Sequence, residues 1–198
     1  VFVGDSRTAG FMMYSGVTGA SSVTHTGLSI FDIQNGKACI QSGGKQITVQ
    51  QALSGKDCGK IYLCLGVNEL GYPNDQKYYE AYCAVVEQLK ASHPDAVIYL
   101  QTLIPLNEEV VAATGGRSYL ENDHLRAYND LIRQVGADYQ VPVVDVYSGF
   151  ADETGSLPAD ASNDGVHLNR SYCEQWLEYL KTHTVSHDTL YPEGADAT

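Results

Sequence analysis

The sequence predicts an α/β domain built on a doubly wound parallel sheet. Its apolar runs are nearly continuous, which is typical of parallel strands that are covered on both faces. Amphipathic helical patterns separate these runs, and strands that alternate with helices favour right-handed crossovers within one parallel sheet. The length of 198 residues is sufficient for one such domain with its own core.

The predicted strands are spread along the chain. The first opens the sequence as VFV and runs directly into Gly-Asp-Ser-Arg, and a weaker candidate, SSVTHTG, follows at 21–27. The three clearest runs are KIYLCLG at 60–66, AVIYLQT at 96–102 and VPVVDVY at 141–147. In an open parallel sheet, ligands bind beyond the carboxyl ends of such strands.

Three segments carry apolar side chains at helical spacing. They are 76–92 (Tyr78, Tyr82, Val85, Val86, Leu89), 118–136 (Leu120, Ala127, Tyr128, Leu131, Ile132, Val135) and the stripe Cys173, Trp176, Leu177 and Leu180. Ser171 and Glu174 fit a capping box at the start of the last helix.

The segment 35–59 interrupts the alternation of strands and helices. It holds five glycines and few apolar residues before Ile47, so we predict a loop or small hairpin and then a short helix around 48–54. We see no repeat and no second domain. The prediction is a single domain over 1–184, followed by an acidic polar tail at 185–198.

Composition narrows the class of partner. Hydrophobic residues make up 43% of the chain and charged residues 18%, which is ordinary for a globular protein, and the formal net charge is −12. That charge argues against nucleic acid or an anionic membrane as the main partner, because both require positive patches. The sequence contains no apolar run of about 18 residues, so it predicts no transmembrane helix in this segment.

The five cysteines show no metal-binding spacing. No pair forms CxxC, which disfavours zinc and thioredoxin chemistry. Cys64, Cys83 and Cys173 fall in apolar patterns and are interpreted as core residues. Cys39 and Cys58 flank the glycine-rich segment, so a disulfide between them stays open for an exported protein.

Polar residues that suit acyl transfer follow several strands. Ser6 follows the first strand, Gly27 the second and Asn68 the third, and a loop before the last helix carries Asp164 and His167. A serine hydroxyl needs a neighbouring base to take its proton, and a histidine base needs a carboxylate to orient it. Ser6, His167 and Asp164 are therefore candidates for nucleophile, base and orienting acid. The backbone N–H groups of Ser6 and Gly27 and the amide of Asn68 are candidate oxyanion donors.

Each of these motifs alone is a common turn or capping feature; their joint order is specific. That order resembles the SGNH hydrolases, also called the GDSL esterase/lipase superfamily, over nearly the whole chain. The matching blocks are Gly4-Asp5-Ser6, Gly27, Gly66-Val67-Asn68-Glu69 and Asp164-Gly165-Val166-His167. The resemblance implies a flavodoxin-like three-layer α/β/α sandwich and a serine esterase that acts through an acyl-enzyme, with no metal and no organic cofactor.

Two positions depart from the family pattern. Arg7 replaces the leucine of GDSL, as in the GDSRT variant of many bacterial members, and Glu69 replaces the aspartate of GxND. Arg7 is open to two interpretations: contact with an acidic sugar or phosphate, or structural pairing with Asp32 or Glu69. Two features lead us to expect an extracytoplasmic or cell-surface location: the GDSRT variant, and a chain that starts at Val1 without Met. A cytoplasmic location is the alternative.

We predict a substrate with a short acyl group on a carbohydrate. The domain has no long apolar insertion for a lid, and its 14 tyrosines against four phenylalanines suit a sugar-binding cleft, with Tyr14 and Tyr72 as candidate wall residues. We therefore expect an esterase for acetyl groups on carbohydrate, either a small molecule or a polysaccharide. The alternatives are a lysophospholipase or general short-chain lipolytic esterase and, from another class, a non-catalytic glycan-binding module.

Overall fold

The computed structural model describes residues 1–185. Within them, five strands form a parallel sheet in the order β2-β1-β5-β6-β7, and two form a separate antiparallel hairpin, β3-β4. The strand bounds are β1 Phe2–Gly4, β2 Ser22–Thr24, β3 Ile40–Ser42, β4 Lys45–Ile47, β5 Lys60–Cys64, β6 Val97–Gln101 and β7 Val143–Val144.

Helices cover both faces of the sheet. Their bounds are α1 Ser6–Tyr14, α2 Ile30–Gln34, α3 Val49–Ser54, α4 Asp75–Ser92, α5 Glu108–Ala113, α6 Asn122–Tyr139, α7 Val146–Phe150 and α8 Arg170–His183. α1 packs against α8, whereas α4 packs against both α2 and α6. The predicted doubly wound, three-layer α/β/α sandwich is confirmed.

The core lies between the sheet and its helices. The central strands contribute fully buried side chains such as Val3, Leu63 and Leu100, as the continuous apolar runs predict. Trp176 of α8 is 1% exposed, and its indole N–H donates to Gln101 Oε1 at 2.9 Å. This bond satisfies two polar groups inside the core and ties α8 to the end of β6.

The last strand and the last helix differ from the prediction. Only Val143 and Val144 of the run 141–147 form a strand, because Asp145 is the N-cap of α7 and its Oδ1 accepts from the Ser148 N–H at 3.4 Å. The predicted Ser171–Glu174 capping box is wrong. α8 begins at Arg170, and the side chain of Asn169 accepts from the Tyr172 N–H at 3.2 Å instead.

The segment 35–59 forms the expected hairpin and short helix. Strands β3 and β4 join through Gly43 and Gly44, and Thr48 forms a capping box with Gln51 at the start of α3. Cys39 and Cys58 are free thiols, as are the other three cysteines.

The predicted acidic tail falls almost entirely outside the described residues, because 186–198 are not among them. Val185 belongs to the described part: its carbonyl accepts from the Tyr99 hydroxyl at 3.2 Å. The boundary at 184 stays a prediction. No helix within residues 1–185 is long and apolar enough to cross a membrane.

Candidate active site

Ser6 lies at the junction of the first strand and the first helix. β1 ends at Gly4, Asp5 is the N-cap of α1, and Ser6 is its first residue. Asp5 Oδ1 accepts from the Arg7 N–H at 2.8 Å, which fixes the first turn. Because the first N–H groups of a helix have no acceptor within it, the Ser6 N–H can donate to an acceptor outside the helix.

Gly4 lets the helix start this close to the sheet. A Cβ atom at this position would lie 2.1 Å from Thr8 Oγ1 and 2.7 Å from the carbonyl oxygen of Cys64. The second contact is with backbone on the neighbouring strand, which cannot move aside as a side chain can. The glycine of the Gly-Asp-Ser block therefore has a packing function.

Three predicted residues form a continuous chain of hydrogen bonds. Ser6 Oγ lies 2.8 Å from His167 Nε2, although 161 residues separate them in sequence. His167 Nδ1 lies 2.7 Å from Asp164 Oδ2. The imidazole thus bridges a hydroxyl and a carboxylate, which is the arrangement that a nucleophile, a base and an orienting acid require.

The loop before α8 holds Asp164 in place. Its Oδ1 accepts from the N–H groups of Val166 at 2.9 Å and His167 at 2.8 Å, and from the Ser162 hydroxyl at 3.0 Å. Partial burial alone would raise the pKa of Asp164, but the hydrogen bonds from His167 and Val166 outweigh it and hold the pKa well below its usual range. Asp164 is therefore ionised at neutral pH and accepts the imidazole N–H.

Asn68 links the other two predicted donors. It lies in a one-turn 3-10 helix, Val67–Glu69, directly after β5. Its amide donates to the Leu28 carbonyl at 3.1 Å and makes a longer contact of 3.4 Å with Asp5 Oδ2. Asn68 thus joins the loop after β2 to the residue preceding Ser6. Gly27, next to Leu28 in that loop, is exposed and has a φ of +76°, which favours glycine.

Glu69 contributes a contact that the sequence does not reveal. The side chain is 3% exposed, and its Oε1 accepts from the backbone N–H of Ile30 at 2.6 Å. Burial raises the pKa of Glu69 to about 8. The only sequence signal is its place directly after Asn68, where the family pattern has aspartate.

Arg7 has a structural role, but neither predicted partner is correct. The side chain is 5% exposed, and the guanidinium donates from Nη1 to the Ile104 carbonyl at 2.9 Å and from Nη2 to the Pro105 carbonyl at 3.3 Å. Asp32 instead pairs with Lys37 at 2.8 Å. Because Arg7 points into the protein, it is not available to a sugar or phosphate.

A cavity of about 430 Å³ adjoins His167. Polar and apolar atoms contribute about equally to its surface, and the lining residues are Tyr14, Asn163, Asp164, His167, Leu168, Asn169 and Arg170. Tyr14 therefore lies in the wall, as predicted. Tyr72 packs its ring against Phe31 at 4.8 Å and is not among these lining residues.

The described residues offer no alternative metal centre. Within 1–185, no three His, Cys, Asp or Glu side chains group in a way that would hold a metal ion. The polar groups that do converge are those of the Ser6, His167 and Asp164 chain.

Comparison with known proteins identifies the class. Residues 2–171 match the GDSL-like Lipase/Acylhydrolase family, and the chain belongs to it. It is therefore a carboxylic ester hydrolase. No curated protein matches the chain.

Several solved structures share its fold. A GDSL-like lipase from Bacteroides thetaiotaomicron has a TM-score of 0.71 at 14% identity, over 91% of this chain and 84% of that one. An acetylxylan esterase from Geobacillus stearothermophilus has a TM-score of 0.64 at 14% identity, over 93% of each chain. The acetyl xylan esterase AlAXEase has a TM-score of 0.63 at 16% identity, over 93% of this chain and all of that one.

Proposed function

We propose that this hydrolase is a serine esterase that removes acetyl groups from carbohydrate hydroxyls. The observation that carries the proposal is the hydrogen-bonded chain from Ser6 Oγ through the His167 ring to Asp164, with distances of 2.8 and 2.7 Å. It supports Ser6 as nucleophile, His167 as base and Asp164 as orienting acid.

The reaction proceeds in two halves. Ser6 Oγ attacks the ester carbonyl carbon while its proton passes to His167 Nε2. The tetrahedral intermediate collapses when His167 gives that proton to the leaving alcohol oxygen, which leaves an acetyl group on Ser6. A water molecule then attacks the acetyl carbonyl, its proton again passing to His167, and collapse returns the proton to Ser6 Oγ and releases acetic acid.

Charge on the carbonyl oxygen is stabilised by donors around Ser6. The candidates are the N–H groups of Ser6 and Gly27 and the Asn68 amide. Asn68 Nδ2 carries two hydrogens. One donates to the Leu28 carbonyl at 3.1 Å and holds the side chain in place, whereas the other makes only a long contact of 3.4 Å with Asp5 Oδ2 and is the one that can turn to the oxyanion. A donor held in this way needs only a small rearrangement when the oxyanion forms.

Two observations favour an acetyl ester of a polar alcohol: the first concerns the alcohol and the second the acyl group. Leu168 is the one aliphatic residue among those lining the cavity beside His167, which suits a sugar better than a lipid chain. In addition, two of the structures with this fold are acetylxylan esterases.

The test compares p-nitrophenyl acetate, butyrate and octanoate, and acetate release from acetylated xylan, for the wild type, Ser6→Ala and His167→Ala. We expect acetate to be the preferred acyl group and both variants to lose at least about 10³-fold in kcat. His93→Ala is the matched control, since His93 lies at the far end of α4, and it should retain activity. Preference for octanoate would support the lipolytic alternative, and equal activity of all variants would exclude the Ser–His mechanism.

A further inference from the structure

The cavity beside His167 adjoins the group that protonates the leaving alcohol in the proposed mechanism. In the proposed mechanism, the leaving oxygen takes its proton from His167 Nε2 and so lies within hydrogen-bond distance of it. His167 is in the wall of this cavity, whereas Ser6, Gly27 and Asn68 are not among its lining residues. The cavity thus adjoins the residue that protonates the leaving alcohol, and none of the candidate oxyanion donors, which contact the acyl group, lines it.

Arg170 brings a positive charge into this cavity. Its guanidinium carbon lies 5.4 Å from the centre of the Tyr14 ring, so the aromatic face holds the cation at the cavity wall. Arg126 and Arg133 each form an ion pair with an aspartate, but Arg170 has no carboxylate partner within residues 1–185. Its charge is thus available to a ligand.

The groups around Arg170 give its positive charge no structural role. Arg170 is the first residue of α8, where a positive charge opposes the helix dipole and does not stabilise the helix. Glu174, one turn further along, lines a different groove, and Asp164 is engaged by the His167 ring. In a chain with a net charge of −12, an arginine that shares a cavity wall with His167 and has no carboxylate partner among residues 1–185 favours an anionic ligand.

We propose that this cavity binds an alcohol that carries a carboxylate, as an O-acetylated uronic acid does. The inference rests on the esterase function proposed above and names its substrate class. A guanidinium binds a carboxylate through two parallel hydrogen bonds, which orients the sugar as well as attracting it. The Asn163 amide and Tyr14 hydroxyl, which also line the cavity, are placed to donate to or accept from sugar hydroxyls.

The test uses two probes that differ at C6 alone, where one carries a carboxylate and the other a neutral methyl ester: methyl 3-O-acetylgalacturonoside and its 6-methyl ester. Only acetate release is followed, because the methyl ester at C6 is a second bond that an esterase could cleave. The measured quantity is the ratio of kcat/KM for the acid to kcat/KM for the neutral ester. We expect a ratio of about ten or more for the wild type at low salt, falling as sodium chloride is added. In Arg170→Gln the ratio should fall to about one, and Arg170→Lys should retain part of it.

Lys60→Gln is the matched control. Lys60 also places a cation over a tyrosine ring, 5.9 Å from the centre of Tyr99, but at the amino end of β5, on the opposite edge of the sheet. Its substitution removes the same charge and should leave the ratio at the wild-type value. A ratio near one in the wild type, or one that Arg170→Gln does not change, overturns the inference.

Failure of the inference and failure of the esterase proposal are distinguishable. If both sugar esters are hydrolysed equally, or if p-nitrophenyl acetate is hydrolysed and neither sugar is, the inference is wrong and the Ser6-dependent esterase remains. If no ester is hydrolysed in a Ser6-dependent manner, the proposed function itself is wrong.

Discussion

Glu69 Oε1 accepts a hydrogen bond from the backbone N–H of Ile30 at 2.6 Å, across 39 positions of sequence. The preceding residue, Asn68, donates to the carbonyl of Leu28, two residues before Ile30. Two adjacent side chains of one short turn therefore hold the loop that carries Gly27.

Replacing Glu69 by glutamine should change how stability depends on pH. Burial raises the pKa of Glu69 from 4.5 to about 8, so between these values the folded protein holds a proton that the unfolded chain has lost. The free energy of unfolding contributed by this group therefore falls as pH rises from about 4.5 to about 8, by on the order of 5 kcal/mol. Glutamine mimics the protonated form and removes this dependence.

Urea unfolding at pH 5 and pH 9 measures the effect. We expect Glu69→Gln to match the wild type at pH 5 and to be more stable than it at pH 9. Asp5 is also buried and its pKa is raised, so part of the wild-type slope remains in the variant. Parallel pH profiles for the two proteins would contradict the assignment of a buried, protonated carboxyl at Glu69.

Asp164→Asn should greatly reduce turnover while preserving the fold. The amide removes the negative charge that orients the His167 ring and stabilises it when protonated, and such losses lower kcat by about 10⁴ in a related mechanism. Asp160→Asn is the matched control, since Asp160 lies in the same loop and accepts from the Tyr172 hydroxyl at 3.0 Å, not from His167. Steady-state kinetics with p-nitrophenyl acetate would refute this role if the two variants lost activity equally.

Asn68→Ala tests the oxyanion assignment. Loss of one donor to the developing charge should lower kcat by about 10²–10³ with a much smaller change in KM. Asn74→Ala is the comparison: Asn74 accepts from the Lys77 N–H as the N-cap of α4, so its loss should destabilise the protein by about 1 kcal/mol and leave kcat unchanged. A dominant effect of Asn68→Ala on unfolding, with kcat preserved, would make Asn68 purely structural.

The sequence predicts the buried strands and long helices well because their apolar patterns are local. Strands β5 and β6 lie within the runs at 60–66 and 96–102, and α4 spans Asp75–Ser92 against a predicted 76–92. The helices α1, α2, α5 and α7 were not predicted. α1 contains Gly10 and buries the polar residues Arg7 and Thr8, so its apolar stripe is weak, and tertiary contacts such as Phe11 against Trp176 at 4.8 Å stabilise it.

In the candidate site as well, some features could be predicted from the sequence and others could not. The positions of Ser6, Asp164 and His167 could be predicted, because each follows a strand or precedes the last helix and the three residue types suit one chemistry. The partners of Glu69 and Arg7 could not, because they are the Ile30 N–H and the carbonyls of Ile104 and Pro105. Every residue except proline carries a backbone N–H, and every residue carries a carbonyl, so no residue type indicates which of them will be used.

Two glycines in or beside α1 should respond to alanine in opposite directions. At Gly4 the added methyl group would lie 2.7 Å from the Cys64 carbonyl and closer still to Thr8, so we expect Gly4→Ala to lower the free energy of unfolding by about 3 kcal/mol. At Gly10 the methyl group would meet no atom within 4 Å, so Gly10→Ala should raise it by about 0.5–1 kcal/mol. Chemical denaturation of both variants measures the difference. The junction of β1 and α1 also positions Ser6, so Gly4→Ala should lower the kcat of the folded fraction, whereas Gly10→Ala should retain the wild-type kcat. Equal stability of the two variants would contradict the packing function of Gly4, because it would show that β1 and α1 can move apart without a loss of stability.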